Sequence, residues 1–329
     1  MRPFKYTQPK DADAAAQTVT ANAQSSFLAG GTNILDLMKE DVERPNELVD
    51  LTRLNLAEIK ATRRNGVRIG ALAKNGDTAN HPLIREKYPL LTQAIVAGAS
   101  GQLRNMATNG GNLMQRTRCQ YFYDTAMPCN KREPGTGCGA REGLNRIHAI
   151  LGWSEQCVAT YPGDMANALY ALDATVKVRN GKGRERTIPI EEFHRLPGDM
   201  PEKDNNLEHG ELILAIDLPR SPFAKNYHYL KVRDRASYAF ALVAVAAALE
   251  LDGDEIRQAR VVLGSVAHKP WRSHEAEAAL AGRPATEASF TQAAELALRD
   301  AQPLTHNAYK VELGKRAIVR ALMRAANLI

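Results

Sequence analysis

Apolar and polar positions along this chain follow short periods that change from region to region. Over residues 1–53, Phe4–Tyr6 reads as a strand and the alanine-rich Asp11–Asn22 as a helix. Ser26–Ala29 is an apolar strand that runs into Gly30-Gly31, Ile34–Lys39 reads as a short helix, and Glu47–Asp50 as a strand. This βαβαβ rhythm describes a small α/β unit. A second unit covers residues 54–220. Ile59–Arg63 and Val67–Ile69 flank Asn65-Gly66, a strong hairpin signal. Thr78–Glu86 and Pro89–Ala97 read as helices, the latter with proline in its first turn. From Gln115 to Asn145 the periodicity disappears. Order returns with Arg146–Leu151 and with the helical Gly163–Leu172; Thr175–Arg179 pairs with Glu185–Ile190 across Asn180–Gly183, and Leu212–Leu218 is a last strand.

Pro219–Ala224 reads as a linker. In residues 225–329, Tyr227–Val232, Ala239–Leu251 and Ile256–Val266 read as strands, and Ser273–Leu280, Ser289–Arg299 and Tyr309–Ala326 as helices. The whole is an α+β chain without internal repeats. Met106, Met114 and Met323 fall where core residues are expected.

At 329 residues and 44% hydrophobic content, the chain can bury a core in two or three units. No apolar run reaches the ~18 residues of a membrane helix. No apolar leader precedes Lys10 and no twin-arginine pair is present, so folding in the cytoplasm is expected. A folded complex could still be carried to the periplasm on a partner's signal. The net charge of +6 is spread out. Its densest patches, Arg63-Arg64 and Lys182–Arg186, adjoin turns and read as solvated hairpin tips, with no long basic stripe of the kind nucleic acid requires.

The four cysteines, Cys119, Cys129, Cys138 and Cys157, all fall in one irregular window, separated by 9, 8 and 18 residues. Such isolation points to use as a set. Disulfides are rare in proteins folded in the cytoplasm. A structural zinc site usually shows short paired spacings that are absent here. An iron–sulfur cubane also takes four thiolates, and a Gly/Pro-rich loop can wrap a bulky inorganic core. Tyr121, Phe122 and Tyr123 beside Cys119 suit shielding or packing. The eight histidines are scattered and imply no metal site.

Two glycine turns follow ordered segments: Ala29-Gly30-Gly31-Thr32-Asn33 and Thr108-Asn109-Gly110-Gly111-Asn112. Glycine permits positive φ and close backbone approach, and successive N–H groups make an anion nest. The first turn opens into a helix, whose positive end adds attraction. Neither matches G-x-G-x-x-G or the P-loop. Together they suggest a dinucleotide with a pyrophosphate, with a Cβ at Gly31 or Gly110 expected to intrude on it.

At these residues the chain resembles the FAD-binding subunits of the xanthine dehydrogenase and molybdenum hydroxylase family. The matching stretches are Phe27–Asn33, Ala99–Asn112, Pro162–Leu169 with Leu172–Ala174, and Tyr229–Arg233, collinear from residue 4 to past residue 250. Asn33 stands where many relatives carry an acid and Asn109 where many carry Ile or Val; both leave the glycines intact. The resemblance implies a two-part p-cresol-methylhydroxylase-type FAD-binding domain (residues 1–53 and 54–220), followed by a smaller α+β domain (225–329) of the molybdenum hydroxylase flavoprotein C-terminal type. It implies a cofactor-binding set of Phe27, Leu28, Ala29, Gly30, Gly31, Thr32, Asn33, Ile34, Thr108, Asn109, Gly110, Gly111, Asn112, Leu113, Asp164, Ile213 and Lys231. A minority of the family carries a 4Fe-4S cluster in an insertion here, at about 115–157, which would make the four cysteines its ligands.

The implied function is that of a flavin subunit in a heterotrimer for aldehyde oxidation. A molybdenum-cofactor large subunit oxidises substrate, a small subunit carries 2Fe-2S clusters, and FAD here passes electrons to an external acceptor. Asp164 would bind flavin hydroxyls or cap the helix from 165. Lys231 would place positive charge near the flavin ring or snorkel at the surface. Alternatives are a zinc-stabilised non-enzymatic module or, within the family, a hydroxybenzoyl-CoA reductase or xanthine dehydrogenase flavin subunit.

Overall fold

The computed structural model describes all 329 residues and distributes the strands over three sheets. The first is parallel, with order β1-β3-β2 formed by β1 (Lys5–Thr7), β2 (Ser25–Leu28) and β3 (Glu47–Asp50). The helix Ala12–Ala21 crosses between β1 and β2; its cap Asp11 accepts from Ala14 N at 2.8 Å, satisfying an N–H that the first turn leaves free. Ala15, Ala16 and Val19 on its buried face meet Val49, Leu51, Leu212 and Leu214, so the first unit shares a core with the second.

The second sheet is antiparallel, with order β4-β5-β8-β6-β7: β4 (Ile59–Ala61), β5 (Val67–Gly70), β6 (Thr175–Arg179), β7 (Glu185–Pro189) and β8 (Leu212–Leu218). The Asn65-Gly66 hairpin forms, with Asn65 at φ +60°. The expected helix Thr78–Glu86 is instead two helices, Asn75–Asn80 and Pro82–Lys87. The cause is Pro82: it lacks an N–H and drives the preceding His81 into an extended conformation.

The third sheet, order β12-β11-β10-β9, holds β9 (Asn226–Val232), β10 (Val243–Asp252), β11 (Glu255–Gly264) and the two-residue β12 (Trp271–Arg272). Strand β10 is buried on both faces, which its alternation explains. Ala244, Ala246 and Ala248 pack into the core of the second unit, where helices Pro89–Ala97 and Asp164–Ala171 come close. Val243, Val245, Ala247 and Leu249 face the helices His274–Leu280, Glu287–Ala297 and Tyr309–Ala325. The strand begins at Val243, later than the apolar run from Ala239 suggested, because residues 239–242 line a cleft. Met106 and Met114 are exposed, contrary to the core expectation; Met106 follows a short helix at 101–104, and its carbonyl, not its side chain, faces inward against Gly30. No helix is long and apolar enough to cross a membrane.

Candidate functional site

Strand β2 delivers the first glycine turn. Gly31 sits at φ +72°, and a Cβ on Gly30 would lie 2.1 Å from the Met106 carbonyl oxygen. The first turn therefore needs glycine because it stacks on the backbone that leads into the second. The N–H groups of Gly30, Gly31, Thr32 and Asn33 donate to no protein acceptor, and the buried Asn33 Nδ2 has no partner either. Buried donors seldom stay unpaired, so this turn presents a row of donors suited to an anion.

The second turn differs. It is a short helix, Asn109–Leu113, capped by Thr108, whose hydroxyl accepts from Gly111 N at 3.2 Å. Asn109 N donates to Ala73 O at 3.0 Å and Gly110 N to Ala71 O at 2.8 Å. The Asn109 side chain clasps the Ala73 carbonyl at 2.9 Å and the Thr78 hydroxyl at 2.6 Å. A Cβ on Gly110 would meet Ala71 and one on Gly31 would meet Leu35. In both cases the added Cβ crowds the protein itself, whatever it would do to a ligand in the cleft.

Between the turns runs a cleft of two chambers that share Thr32, Asn33 and Gly111. The smaller, about 410 Å³, is lined by Phe27, Ala29, Gly30, Gly31, Ile34, Thr108, Gly110 and Ile213 among others, with Leu51, Leu72 and Met114 adding apolar wall. The larger, about 780 Å³, is lined by Asn112, Asp164 and Lys231, and by the 234–242 loop with Tyr238 and Phe240. Leu28, Asn109 and Leu113 line neither chamber; Asn109 and Leu113 are buried beneath the second turn.

Asp164 and Lys231 come from different units and meet in the larger chamber. Lys231 Nζ donates to Asp164 Oδ2 at 2.7 Å and to Ala97 O at 3.2 Å, while Tyr229 OH donates to Asp164 Oδ1 at 2.8 Å. The helix is capped by Gly163 and makes no side-chain cap bond, so Asp164 is not its cap. The Lys231 side chain is 5% exposed, which rules out snorkelling. Burial, with the Asp164 charge beside it, pushes the Tyr229 phenol well above its ordinary value.

The cysteine window forms a compact lobe with single-turn helices at Gln120–Tyr123 and Gly139–Glu142. All four thiols line one small cavity with Phe122, Tyr121, Ala140 and Lys131. No carboxylate or imidazole lines it. No three His, Cys, Asp or Glu side chains are spaced to hold a single metal ion. Backbone N–H groups face the sulfurs: Tyr121 and Phe122 at Cys119; Ala140, Arg141 and Val158 at Cys138; Ala159 at Cys157. Burial pushes the Cys119 thiol up to about 12. A hydrogen bond from Cys157, with those N–H groups, brings Cys138 down to about 6 and drives Cys157 up.

Buried charges tie the lobe to the body. Lys131 Nζ donates to Asp204 Oδ1 and to Pro201 O, both at 2.6 Å, and Arg116 Nε donates to Asp204 Oδ2 at 2.7 Å while also pairing with Glu43. Burial alone would raise the Asp204 carboxyl, but the Lys131 and Arg116 charges outweigh it and hold it at about 2. On the other side Lys310, fully buried, donates to the carbonyls of Ile147, His148 and Ser265 at 2.8–3.0 Å.

Comparison with known proteins decides what this cleft belongs to. Residues 2–221 match the family described as FAD binding domain in molybdopterin dehydrogenase, and residues 227–325 match the carbon monoxide dehydrogenase flavoprotein C-terminal domain. The chain belongs to the FAD-binding subunits of the molybdenum hydroxylase family. It is 47% identical over 328 residues to the aldehyde oxidoreductase FAD-binding subunit PaoB of Escherichia coli (strain K12), covering 99% of each chain. It is 27% identical to the glyceraldehyde dehydrogenase medium chain of Sulfolobus acidocaldarius, over 85% of this chain and 82% of that one. A carbon monoxide dehydrogenase structure from Hydrogenophaga pseudoflava superimposes with a TM-score of 0.77 at 24% identity, over 98% of this chain and 97% of that one, and has the same fold. The family membership accounts for both glycine turns, which a zinc-stabilised non-enzymatic module leaves unexplained.

Several residues of this flavin subunit escape motif reading. His148 lines the larger chamber and lies 3.1 Å from Cys119 Sγ; burial, with Lys310 nearby, lowers its imidazole to about 4. Lys131, Asp204 and Lys310 are ordinary letters in polar stretches until the fold buries them. The one hint in the sequence is the return of apolar residues at 147–151 directly behind His148 and beyond the irregular window.

Proposed function

We propose that this chain is the electron-transferring flavin subunit of a heteromeric molybdenum-dependent aldehyde oxidoreductase. A large molybdenum-cofactor subunit oxidises the aldehyde, a small subunit relays electrons through 2Fe-2S centres, and FAD on this chain delivers them to an external acceptor. The observation that carries this is the end-to-end 47% identity to a flavin subunit named for aldehyde oxidation, against 25% for the xanthine dehydrogenase subunit XdhB of the same organism.

The cleft's residues fit FAD. The unpaired N–H groups of Gly30 to Asn33 and the Asn33 amide hold the pyrophosphate, with the helix from Ile34 behind them. The second turn, its N–H groups already used, forms the floor on which the first turn rests. Phe27, Leu51, Leu72 and Ile213 enclose the adenosine end in the smaller chamber. Asp164 and Lys231 stand at the flavin end, Asp164 as acceptor for flavin hydroxyls and Lys231 as a fixed positive charge beside the ring. FAD itself supplies the electron chemistry, and the protein positions and tunes it. The domain limits that go with this reading are 1–53 and 54–220 for the FAD-binding parts and 225–329 for the C-terminal domain.

The same reading places a 4Fe-4S cluster on Cys119, Cys129, Cys138 and Cys157. Two features support it: four thiols on one cavity that no carboxylate or imidazole lines, and backbone N–H groups directed at their sulfurs. The test of function is reconstitution. The FAD-loaded chain alone should oxidise no aldehyde, and adding a molybdenum subunit and a 2Fe-2S subunit should restore turnover with an external acceptor. Aldehyde oxidation by the lone chain at the complex's rate would refute it.

A further inference from the structure

We propose that His148 is a positioning residue for the cluster. Its Nε2–H donates to the Cys119 thiolate, raises the cluster's reduction potential, and fixes that ligand in the wall shared with the flavin chamber. The inference rests on the proposed cluster and goes beyond it.

Cys119 is the only one of the four cysteines that lines both the small cysteine cavity and the larger chamber of the flavin cleft. At this point the partition between the two spaces is one side chain thick. His148 Nε2 lies 3.1 Å from Cys119 Sγ, on the flavin side of that partition. A free thiol could donate to the ring, but a cluster-bound thiolate has no proton. Only the Nε2–H tautomer then makes a bond. His148 Nδ1 makes no hydrogen bond of its own that would hold the proton there, although the Asn145 carbonyl lies near the ring. A hydrogen bond to a ligand sulfur withdraws charge from the cluster and favours its reduced form; such bonds are among the determinants of cluster potential.

The support behind His148 is what a positioning role needs. Its carbonyl accepts from Lys310 Nζ at 3.0 Å and from Asn307 Nδ2 at 3.2 Å. Both donors are fully buried and come from the C-terminal helix and the turn before it. Lys310 also binds the carbonyl before it, Ile147 O at 2.9 Å, and Asn307 the one after it, Ala149 O at 3.1 Å. Asn145, also fully buried, takes His306 N on its Oδ1 at 2.9 Å. The backbone that carries His148 is thus clamped by the C-terminal domain, while Tyr121 of the cysteine lobe stands 6.3 Å from its ring. With Cys119 held in that partition, a cluster bound there would present this ligand to the flavin chamber, from which it could take electrons one at a time for a one-electron acceptor.

The experiment uses the reconstituted holoenzyme complex, wild type, His148→Ala and His148→Gln, with iron and FAD analysis and anaerobic EPR-monitored redox titration. Wild type should hold iron. His148→Ala should keep its iron and FAD and show the cluster midpoint moved negative, with the flavin midpoints unmoved. His148→Gln, which keeps a donor of similar reach, should recover a large part of the shift. An unchanged cluster midpoint in His148→Ala would overturn the inference while leaving the cluster in place. Wild type without iron would instead overturn the cluster itself. Should His148→Ala fail to assemble its cluster, pulsed EPR of reduced wild type labelled with 15N-histidine decides. A weak 15N coupling that is lost in His148→Gln supports the bond, and no coupling refutes it.

Discussion

The flavin cleft and the cysteine lobe, which we propose holds a cluster, are built in opposite ways. The cleft's decisive donors are consecutive in the chain: Gly30 to Asn33 form one turn between β2 and a helix, and their chemistry is mostly backbone. The lobe's four thiols come from separated positions on irregular backbone, held by buried side-chain charges that reach residues 43, 204 and 310. A site made by a local turn tolerates change elsewhere and fails when the turn fails. A site made by distant clamps fails when any clamp is cut, while its ligands remain in the sequence.

Cutting the local turn should have the largest effect. In Gly30→Val the new Cβ meets the Met106 carbonyl at 2.1 Å, and that backbone has no room to retreat without moving the second turn. We expect a stability loss of about 3 kcal/mol and purification without FAD, measured by denaturant unfolding and flavin absorbance. If the variant keeps stoichiometric FAD, the stacking of the turns is not what forms the site.

Cutting a clamp should separate the regions. Lys131→Met leaves Asp204 with Arg116 alone and should destabilise the protein by about 3 kcal/mol, at the low end for breaking a buried pair, with iron lost and FAD retained. The pH dependence follows with its sign. The Asp204 carboxyl is held at about 2, below its unfolded value near ~3.9. Its contribution is therefore fully present above about pH 4 and is lost as pH falls through about 2. Removing Lys131 raises that carboxyl, so acid unfolding should begin at higher pH than in wild type. Equal acid midpoints in the two proteins would mean that Asp204 owes its low pKa to Arg116.

In the proposed reading the Asp164–Lys231 pair lies at the flavin end, where a change should alter tuning more than occupancy. Lys231→Ala should keep most of its FAD and shift the flavin midpoint negative, since a positive charge beside the reduced ring is gone. Spectroelectrochemistry reads this, and an unmoved midpoint would assign Lys231 to structure only. The smallest effect is expected at the joint between the regions, where Arg118 pairs with Asp36 at 2.8 Å and lies over the Phe240 ring at 5.1 Å. Both partners of the ion pair are partly exposed, so Arg118→Ala should cost about 0.5 kcal/mol by thermal denaturation and leave both cofactors bound. Loss of either cofactor would make this joint part of a site.

The same contrast explains what could be read from the letters. The first turn, its helix from Ile34 and the Asn65-Gly66 hairpin are local patterns, and each forms where expected, whereas β10 starts four residues later than its apolar run. The break inside Thr78–Glu86 is local too, since Pro82 cannot continue the helix before it. The second turn misled for another reason. Its glycines suggested ligand donors, but Asn109 and Gly110 spend their N–H groups on Ala73 and Ala71, partners far away in the chain. The gathering of the cysteines was legible from their isolation. His148, Lys131 and Lys310 were not, because a single histidine or lysine gains its role only when the tertiary fold buries it against a particular carbonyl, carboxylate or sulfur.

The central claim is that one chain holds a flavin in the cleft and an iron–sulfur cluster in the lobe beside it. Quantifying FAD, iron, acid-labile sulfide and zinc in anaerobically purified protein tests it most directly. The account predicts about one FAD with about four iron and four sulfide per chain and no zinc. About one zinc and no iron per chain would contradict it and make the four thiolates a structural zinc site.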